Sequence, residues 1–289
     1  MSCLLCKKEN LKKVYTPPAA NGRSLCRCAG CSLLQMVPMP SEEELSTYYQ
    51  NYDIMGEREP YYERLWKDNA WETQEGTEIV DRFSWSKRFY NFSGKTLDVG
   101  SGPGLFLKLV KDDGGQAIGC ELNAVAAERS AARFNVQVYS GTIDSVSDKD
   151  FDAICLWDVL EHVNNPQKLV ADAASRLKKD GWIFIETPNE AALLDRVVLG
   201  LNKIGLKGPA AVFYGLHHLV LFRPRTIRRL LEENGFTIAS LVGAETNPGR
   251  VFRGNGFKDK MTRLVLGGLF LFARIIGRRN KMLIAARKN

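Results

Sequence analysis

Hydrophobic period is the feature that most constrains this chain. From Lys95 onward, short apolar runs alternate with stretches whose apolar residues recur every three to four positions. "KTLDVG", "QAIGCEL", "VQVYS", "FDAICLWD", "GWIFIETP" and "TIASLVGAE" read as strands. "GLFLKLVKDD", "AVAAERSAARF", "PQKLVADAASRLKKD" and "RTIRRLLEENGF" read as the helices between them, the last closed by Gly235. Alternation at this spacing specifies an α/β fold, a doubly wound, mostly parallel sheet with helices on both faces. Ligands of such sheets bind beyond the carboxyl ends of the strands. The loop "GSGPG" lies at the first of these ends.

That loop excludes two ligand classes. A triphosphate-binding loop needs Lys and then Ser or Thr after its last glycine, and here Leu105 and Phe106 follow Gly104. The dinucleotide fingerprint needs a glycine at its sixth position, and counting from Gly100 that position is Leu105. What remains is Asp98 followed by Gly100, Gly102 and Gly104 in alternation, with Pro103 suited to a first helical turn. The glycines let backbone approach a ligand, and the acid can bond a donor or cationic group.

From Lys95 to about Phe236 the chain resembles the class I S-adenosylmethionine-dependent methyltransferases, in particular a small-molecule, ubiquinone-biosynthesis-like subgroup. "LDVGSGPG" resembles their first motif, and "GCELN" the end of their second strand. "GTIDSV" resembles the loop beside the adenine. "FDAICLWDVLEHVNNP" is the most specific element, and "LKKDGWIFIETPN" and "HHLVLFRPRTIRRLLEENGF" follow in order. The resemblance implies cofactor contacts from Asp98, Gly100, Ser101, Gly102 and Gly104. It implies ribose binding by Glu121 with Leu122 beside it, and adenine contacts from Thr142 and Ile143. Trp157 and Asp158 would wall the methionine end. It also implies that "KMLIAARKN" adds a last strand, antiparallel at the sheet edge, completing a Rossmann-like seven-stranded sheet.

A hydroxyl acceptor would need a base, and histidine is the usual one. The chain has three: His162, His217 and His218. His217 and His218 precede the late helix, in a segment expected to hang over the strand ends, and one of them is the leading choice. His162, in "VLEHV", can equally be a structural residue bonding a loop carbonyl. Glu161 and His162 together supply two metal ligands, too few to make a site.

The flanks have a different character. Residues 1–40 carry Cys3 and Cys6, then Cys28 and Cys31, two Cys-x-x-Cys pairs that suit a structural zinc ribbon. Cys26 is a competing ligand. Residues 41–92 read as a helical arm, opened by a Ser41–Glu44 capping box. Its tyrosines (Tyr48, Tyr49, Tyr52, Tyr61, Tyr62) suit surface packing better than a ligand lid. Residues 93–289 form the S-adenosylmethionine-binding methyltransferase domain, with insertions near 190–216 and 250–279. No basic-then-apolar leader follows Met1, so a cytoplasmic protein is expected.

The net charge of +7 is uneven: residues 250–289 hold eleven Lys or Arg and one acid, 11 − 1 = +10, leaving 7 − 10 = −3 elsewhere. Leu264 to Ala273 is a continuous apolar run between basic residues, too short to span a bilayer. It fits either a helix at a membrane periphery or a buried lid against "LLDRVVLGL". The expected activity is methyl transfer to a small molecule or sugar intermediate, sugar- or lipid-linked acceptors included, at a hydroxyl before an amine or carbon. The rivals are an RNA methyltransferase docking through ribbon and tail, and a non-enzymatic zinc-dependent assembly module. Nucleic acid is disfavoured, because no basic stretch is interleaved with aromatics.

Overall fold

The alternating segments form the expected sheet in the computed structural model of the chain, which describes residues 1–17, 22–51, 61–214, 218–246 and 256–289. The N-terminal elements are β1 (Leu11–Tyr15), β2 (Ser24–Cys28), β3 (Leu34–Val37), α1 (Glu42–Gln50), α2 (Tyr61–Leu65) and α3 (Gln74–Ser86). The alternating region holds β4 (Lys95–Val99), α4 (Leu105–Asp112), β5 (Gln116–Glu121), α5 (Ala124–Phe134), β6 (Gln137–Ser140), β7 (Phe151–Trp157), α6 (Pro166–Arg176) and β8 (Leu177–Pro188). Then come α7 (Leu193–Lys203), α8 (Gly208–Phe213), β9 (Val220–Leu221), α9 (Pro224–Glu233), β10 (Phe236–Ala244), α10 (Phe257–Ile275) and β11 (Lys281–Lys288).

The main sheet has seven strands in the order β10-β11-β8-β7-β4-β5-β6. β4 pairs in parallel with both β5 and β7, so the chain switches direction across the sheet at β4. β11 runs antiparallel to β8 and β10, as the resemblance implied, but it lies between them, so β10 and not the last strand forms the sheet edge. Local chemistry starts the helices where the sequence placed them. Ser41 and Glu44 form the capping box of α1. Asn123 accepts from Ala126 N to cap α5, and Asn165 caps α6 with Pro166 in its first turn. One boundary moves. "PQKLVADAASRLKKD" is not all helix: α6 ends at Arg176, and Leu177 already pairs with Phe151. Asp180 then turns the chain at a φ of 63° before Trp182 pairs with Ala153.

Two expectations about the flanks need correction. The first forty residues do not build a separate unit. β1, β2 and β3 form an antiparallel sheet whose fourth strand is β9, with Leu34 opposite Leu221 and Gln35 opposite Val220. Leu25, Leu33, Leu34 and Met36 share one core with Leu219, Phe222 and Leu230. Glu190, buried, accepts from Arg27 (Nη1 2.8 Å, Nη2 2.5 Å) and from the Arg223 guanidinium. The arm is likewise part of the core. Ile79 of α3 is buried with Phe92, Phe106 and Phe184, and Phe83 stacks on Phe92 at 5.1 Å. The 190–216 insertion becomes α7 and α8, and the described part of the 250–279 insertion becomes α10, which packs on α7.

Glu190→Ala would leave two guanidiniums facing each other without their shared acceptor. The expected cost is about 3 kcal/mol, at the low end for a broken buried pair because both arginines keep some water. A shift of the urea midpoint measures it, with secondary structure retained.

Candidate active site

The carboxyl ends of β4, β5 and β7 open into a cavity of about 450 Å³. Asp98, Gly100, Ser101, Gly102, Glu121, Leu122, Thr142, Ile143, Trp157 and Asp158 all line it. Gly104 does not. It caps α4 at a φ of 81°, and a Cβ there would lie 2.9 Å from Ser130 Cβ, so its smallness serves helix packing. Gly100 does require its residue type: φ is +68°, and a Cβ would meet Val159 Cγ2 at 2.8 Å.

Three elements shape the acidic end. Glu121, at the end of β5, accepts from Gly102 N and from Asn123 N, both at 2.9 Å. It thereby locks the glycine loop against its own strand. Burial pushes the Glu121 carboxyl up, offset by these amides and by the Tyr62 hydroxyl. Asp98 sits on β4, 3% exposed, with Oδ1 lacking a hydrogen-bond partner among the described residues. Burial raises its pKa well above the carboxylate range, with Arg82 opposing and Glu121 adding to the rise. The buried Ser101 Oγ and Trp157 Nε1 also lack partners. A buried acceptor, a hydroxyl and an indole donor around one cavity fit a polar, cationic ligand that supplies the missing bonds.

The arm contributes more than surface packing. Tyr49, Tyr61, Tyr62, Arg64, Glu75 and Arg82 line the same cavity. Tyr62 stacks on Trp66 at 5.6 Å, and Trp66 donates to Pro103 O at 3.2 Å, which seats the arm on the glycine loop. Tyr48 packs edge-on against Tyr49, and Tyr52 lies outside the described residues. Arg82 donates to Glu186 (Nε 3.0 Å, Nη2 2.8 Å) and to Asp158, and Lys281 reaches both carboxylates. Burial alone would lower the Arg82 pKa and raise that of Glu186. Their mutual attraction wins in each case, so both stay charged.

His162 lines the cavity, and its ring meets that of His218 at 5.1 Å and that of Tyr49 edge-on at 6.1 Å. His217 lies outside the described residues. His218 is held there because Leu219 N and Val220 N both donate to Glu161 O. Glu161 is 1% exposed, accepts from Thr187 Oγ1 at 3.0 Å, and burial pushes its pKa up to about 8. Ligand atoms of Glu161, His162 and His218 all lie within 4.8 Å of one another. The fold thus supplies the third group that the Glu161–His162 pair lacked.

The four thiols also converge. Cys3 Sγ is 3.5 Å from Cys31 Sγ, Cys6 Sγ is 3.4 Å from Cys28 Sγ, and all four lie within 4.8 Å. A tetrahedral zinc with Zn–S near 2.3 Å spaces sulfurs at about 3.8 Å. Each Cys-x-x-Cys turn closes through a left-handed residue, Lys7 (φ 60°) and Ser32 (φ 69°). Burial raises the Cys28 thiol, but amides of Cys31 and Gly30 and the Cys6 side chain outweigh it and bring it to about 7. Cys26 lies on β2 outside this cluster, and burial raises its pKa.

A family model described as "Methyltransferase domain" matches residues 66–241. The ubiquinone biosynthesis O-methyltransferase of Thiobacillus denitrificans is 30% identical over 168 residues, covering 53% of this chain and 69% of that protein. The protein of the same description from Burkholderia pseudomallei is 27% identical over 180 residues, covering 58% and 75%. Among solved structures, magnesium protoporphyrin IX methyltransferase from Synechocystis, with bound SAH, superposes at a TM-score of 0.56 and 15% identity, over 86% of this chain and all of that one. A SAM-dependent methyltransferase from Archaeoglobus fulgidus superposes at 0.52 and 20%, over 75% and 97%.

Removing the Glu121 carboxylate should weaken S-adenosylmethionine binding by about 1.5–3 kcal/mol, roughly 10- to 150-fold. Calorimetric titration of Glu121→Ala reads this directly. Gly100→Val should abolish binding. Wild-type affinity in both variants would show that the ligand binds elsewhere.

Proposed function

Because this chain belongs to the methyltransferase domain family and uses S-adenosylmethionine as methyl donor, we propose that it methylates a hydroxyl on a small molecule or sugar intermediate, with His162 as the base. The observation that carries this reading is the place of His162. It is the histidine lining the cofactor cavity among the described residues, beside Tyr49 and backed by buried Glu161. His162 rather than His218 therefore takes the role of base, while His217 lies outside the described residues. The O-methyltransferase relatives support an oxygen acceptor.

The bound cofactor supplies a methyl group already activated on a sulfonium. The chain's own work is to orient, to exclude water and to take one proton. Trp157, Asp158 and the arm tyrosines wall the cavity, and such orientation can account for up to ~7–11 kcal/mol of a barrier. As the acceptor oxygen takes the methyl, its proton passes to the His162 imidazole. Arg64 and Glu75, lining the cavity but outside the cofactor motifs, offer hydrogen bonds to a polar acceptor.

His162→Ala should lower kcat by roughly 10²- to 10⁴-fold and leave the S-adenosylmethionine Kd within about threefold. Methyl transfer from labelled donor to matched panels of hydroxyl and amine acceptors tests the acceptor class. Turnover confined to amines would overturn the hydroxyl reading. The convergence of Glu161, His162 and His218 favours a second reading, in which a divalent ion on these residues polarises the acceptor oxygen. EDTA separates the two: activity that survives chelation belongs to the base alone.

Cys3, Cys6, Cys28 and Cys31 are proposed to hold one structural zinc. Elemental analysis of protein purified without chelator should give one zinc per chain, lost in Cys28→Ser and kept in Cys26→Ser. Because β9 completes the cysteine-bearing sheet, stripping the metal should lower the melting temperature of the whole chain. A melting curve unchanged by stripping would mean the metal carries no folding energy.

A further inference from the structure

Helix α10 is apolar on two opposite sides. Phe270 and Ala273 are buried, with Leu266 and Leu269 half-buried beside them in the main core. On the other side Met261, Leu264, Val265, Leu271, Phe272 and Ile275 are exposed, Leu264 at 68%, Val265 at 65% and Ile275 at 74%. At 3.6 residues per turn these six fall within an arc of about 120°. Lys260, Arg263 and Arg274 follow along one flank of that arc. α7, which packs against α10, runs into a turn that exposes Ile204 (74%) and Leu206 (56%) between Lys203 and Lys207. The burial therefore divides in two: the inward side of α10 is covered by the fold, and the outward side meets water. A helix apolar all round is ordinarily covered all round, so the outward stripe calls for an occupant.

We propose that the outward face of α10 docks on an anionic lipid bilayer, its apolar stripe at the acyl boundary and its basic flank among the headgroups. Charge selects this occupant. Lys260, Arg263 and Arg274 border the stripe itself, Arg274 shared with Glu245, in a segment, residues 250–289, whose sequence charge is +10 although Lys281 is taken up in a buried pairing with Asp158 and Glu186. A second copy packed antiparallel on the stripe would bring the same cations face to face, whereas anionic headgroups complement them. No helix among the described residues is long and apolar enough to cross a membrane, so α10 lies along the interface. The position is functional. Gly267, Phe270 and Leu271 of α10 line a second cavity at the carboxyl ends of β8 and β10, and Arg82, which donates to Glu186 in this cavity, also lines the first one. The docked face thus adjoins the catalytic edge of the sheet.

Co-sedimentation of the full chain tests this, using vesicles of equal parts phosphatidylglycerol and phosphatidylcholine against pure phosphatidylcholine. At low salt the protein should pellet with the anionic vesicles and stay in solution with the neutral ones. Raising the salt should weaken binding by about tenfold or more, as the basic flank is screened. Leu264→Glu combined with Phe272→Glu changes exposed side chains only, so melting temperature and S-adenosylmethionine affinity should hold while vesicle binding falls at least about tenfold. A protein that stays in the supernatant at low salt overturns the proposal, as does a double variant that pellets like the wild type. Light scattering without vesicles gives the remaining arm. A dimer that the double variant converts to monomer would assign the stripe to a second copy instead.

Discussion

Two cations and two carboxylates close the carboxyl edge of the sheet: Arg82 and Lys281 against Asp158 and Glu186. They come from α3, β11, the end of β7 and β8, so four elements distant in sequence meet through one neutral tetrad. Burying charge in this way is tolerable only because each group faces an opposite one. Asp158 depends on it most. Its backbone is left-handed, at a φ of 53°, and is held there by Asp158 N donating to Glu186 O at 3.0 Å and by its carboxylate on both cations. That conformation turns the chain after β7 toward Glu161 and His162. The arm, the cavity wall and the histidine therefore share a single fixing point.

The same logic of shared charge works a few residues further along, just beyond β8. Glu190 follows β8 directly and holds Arg27 of β2 and Arg223 ahead of α9. β9 pairs with β3, which pairs with β2, and continues through Phe222 into Arg223. His218 stands immediately before this segment, and its approach to His162 follows from the anchoring of Leu219 and Val220 on Glu161 O. The cysteine-bearing sheet and the active site are consequently neighbours through two residues of strand.

The sheet and most of the residues that line the cavity were legible in the sequence because their causes are local. A glycine loop behind a strand, an acid ending the next strand and an Asn cap each require a residue type at a fixed offset. The paired cysteines were legible for the same reason, since each turn is closed within five residues. Gly104 misled because the motif's spacing cannot say which glycine faces the ligand and which faces α5. Arg82 was missed, and Tyr62 was assigned to packing rather than to a ligand, because a charged or aromatic residue on an amphipathic helix looks the same whether solvent or a cavity lies beyond it. Arg82 meets Glu186 across 104 positions, and no short-range pattern encodes such a pairing. His218 became a neighbour of His162 only through β9, a two-residue strand with too little length to show a period.

The pairing of β3 with β9 also bears on the order in which the chain can assemble as it leaves the ribosome. Leu34 and Leu221 are partners separated by 221 − 34 = 187 positions. Residues 1–40 emerge well before the strand that covers β3, which is made 187 positions later. Until then β3 presents an open edge of the kind that invites wrong partners. A metal clasped early by the four cysteines would fix β1 to β3 in a defined shape during that wait, ready to receive a strand that arrives late.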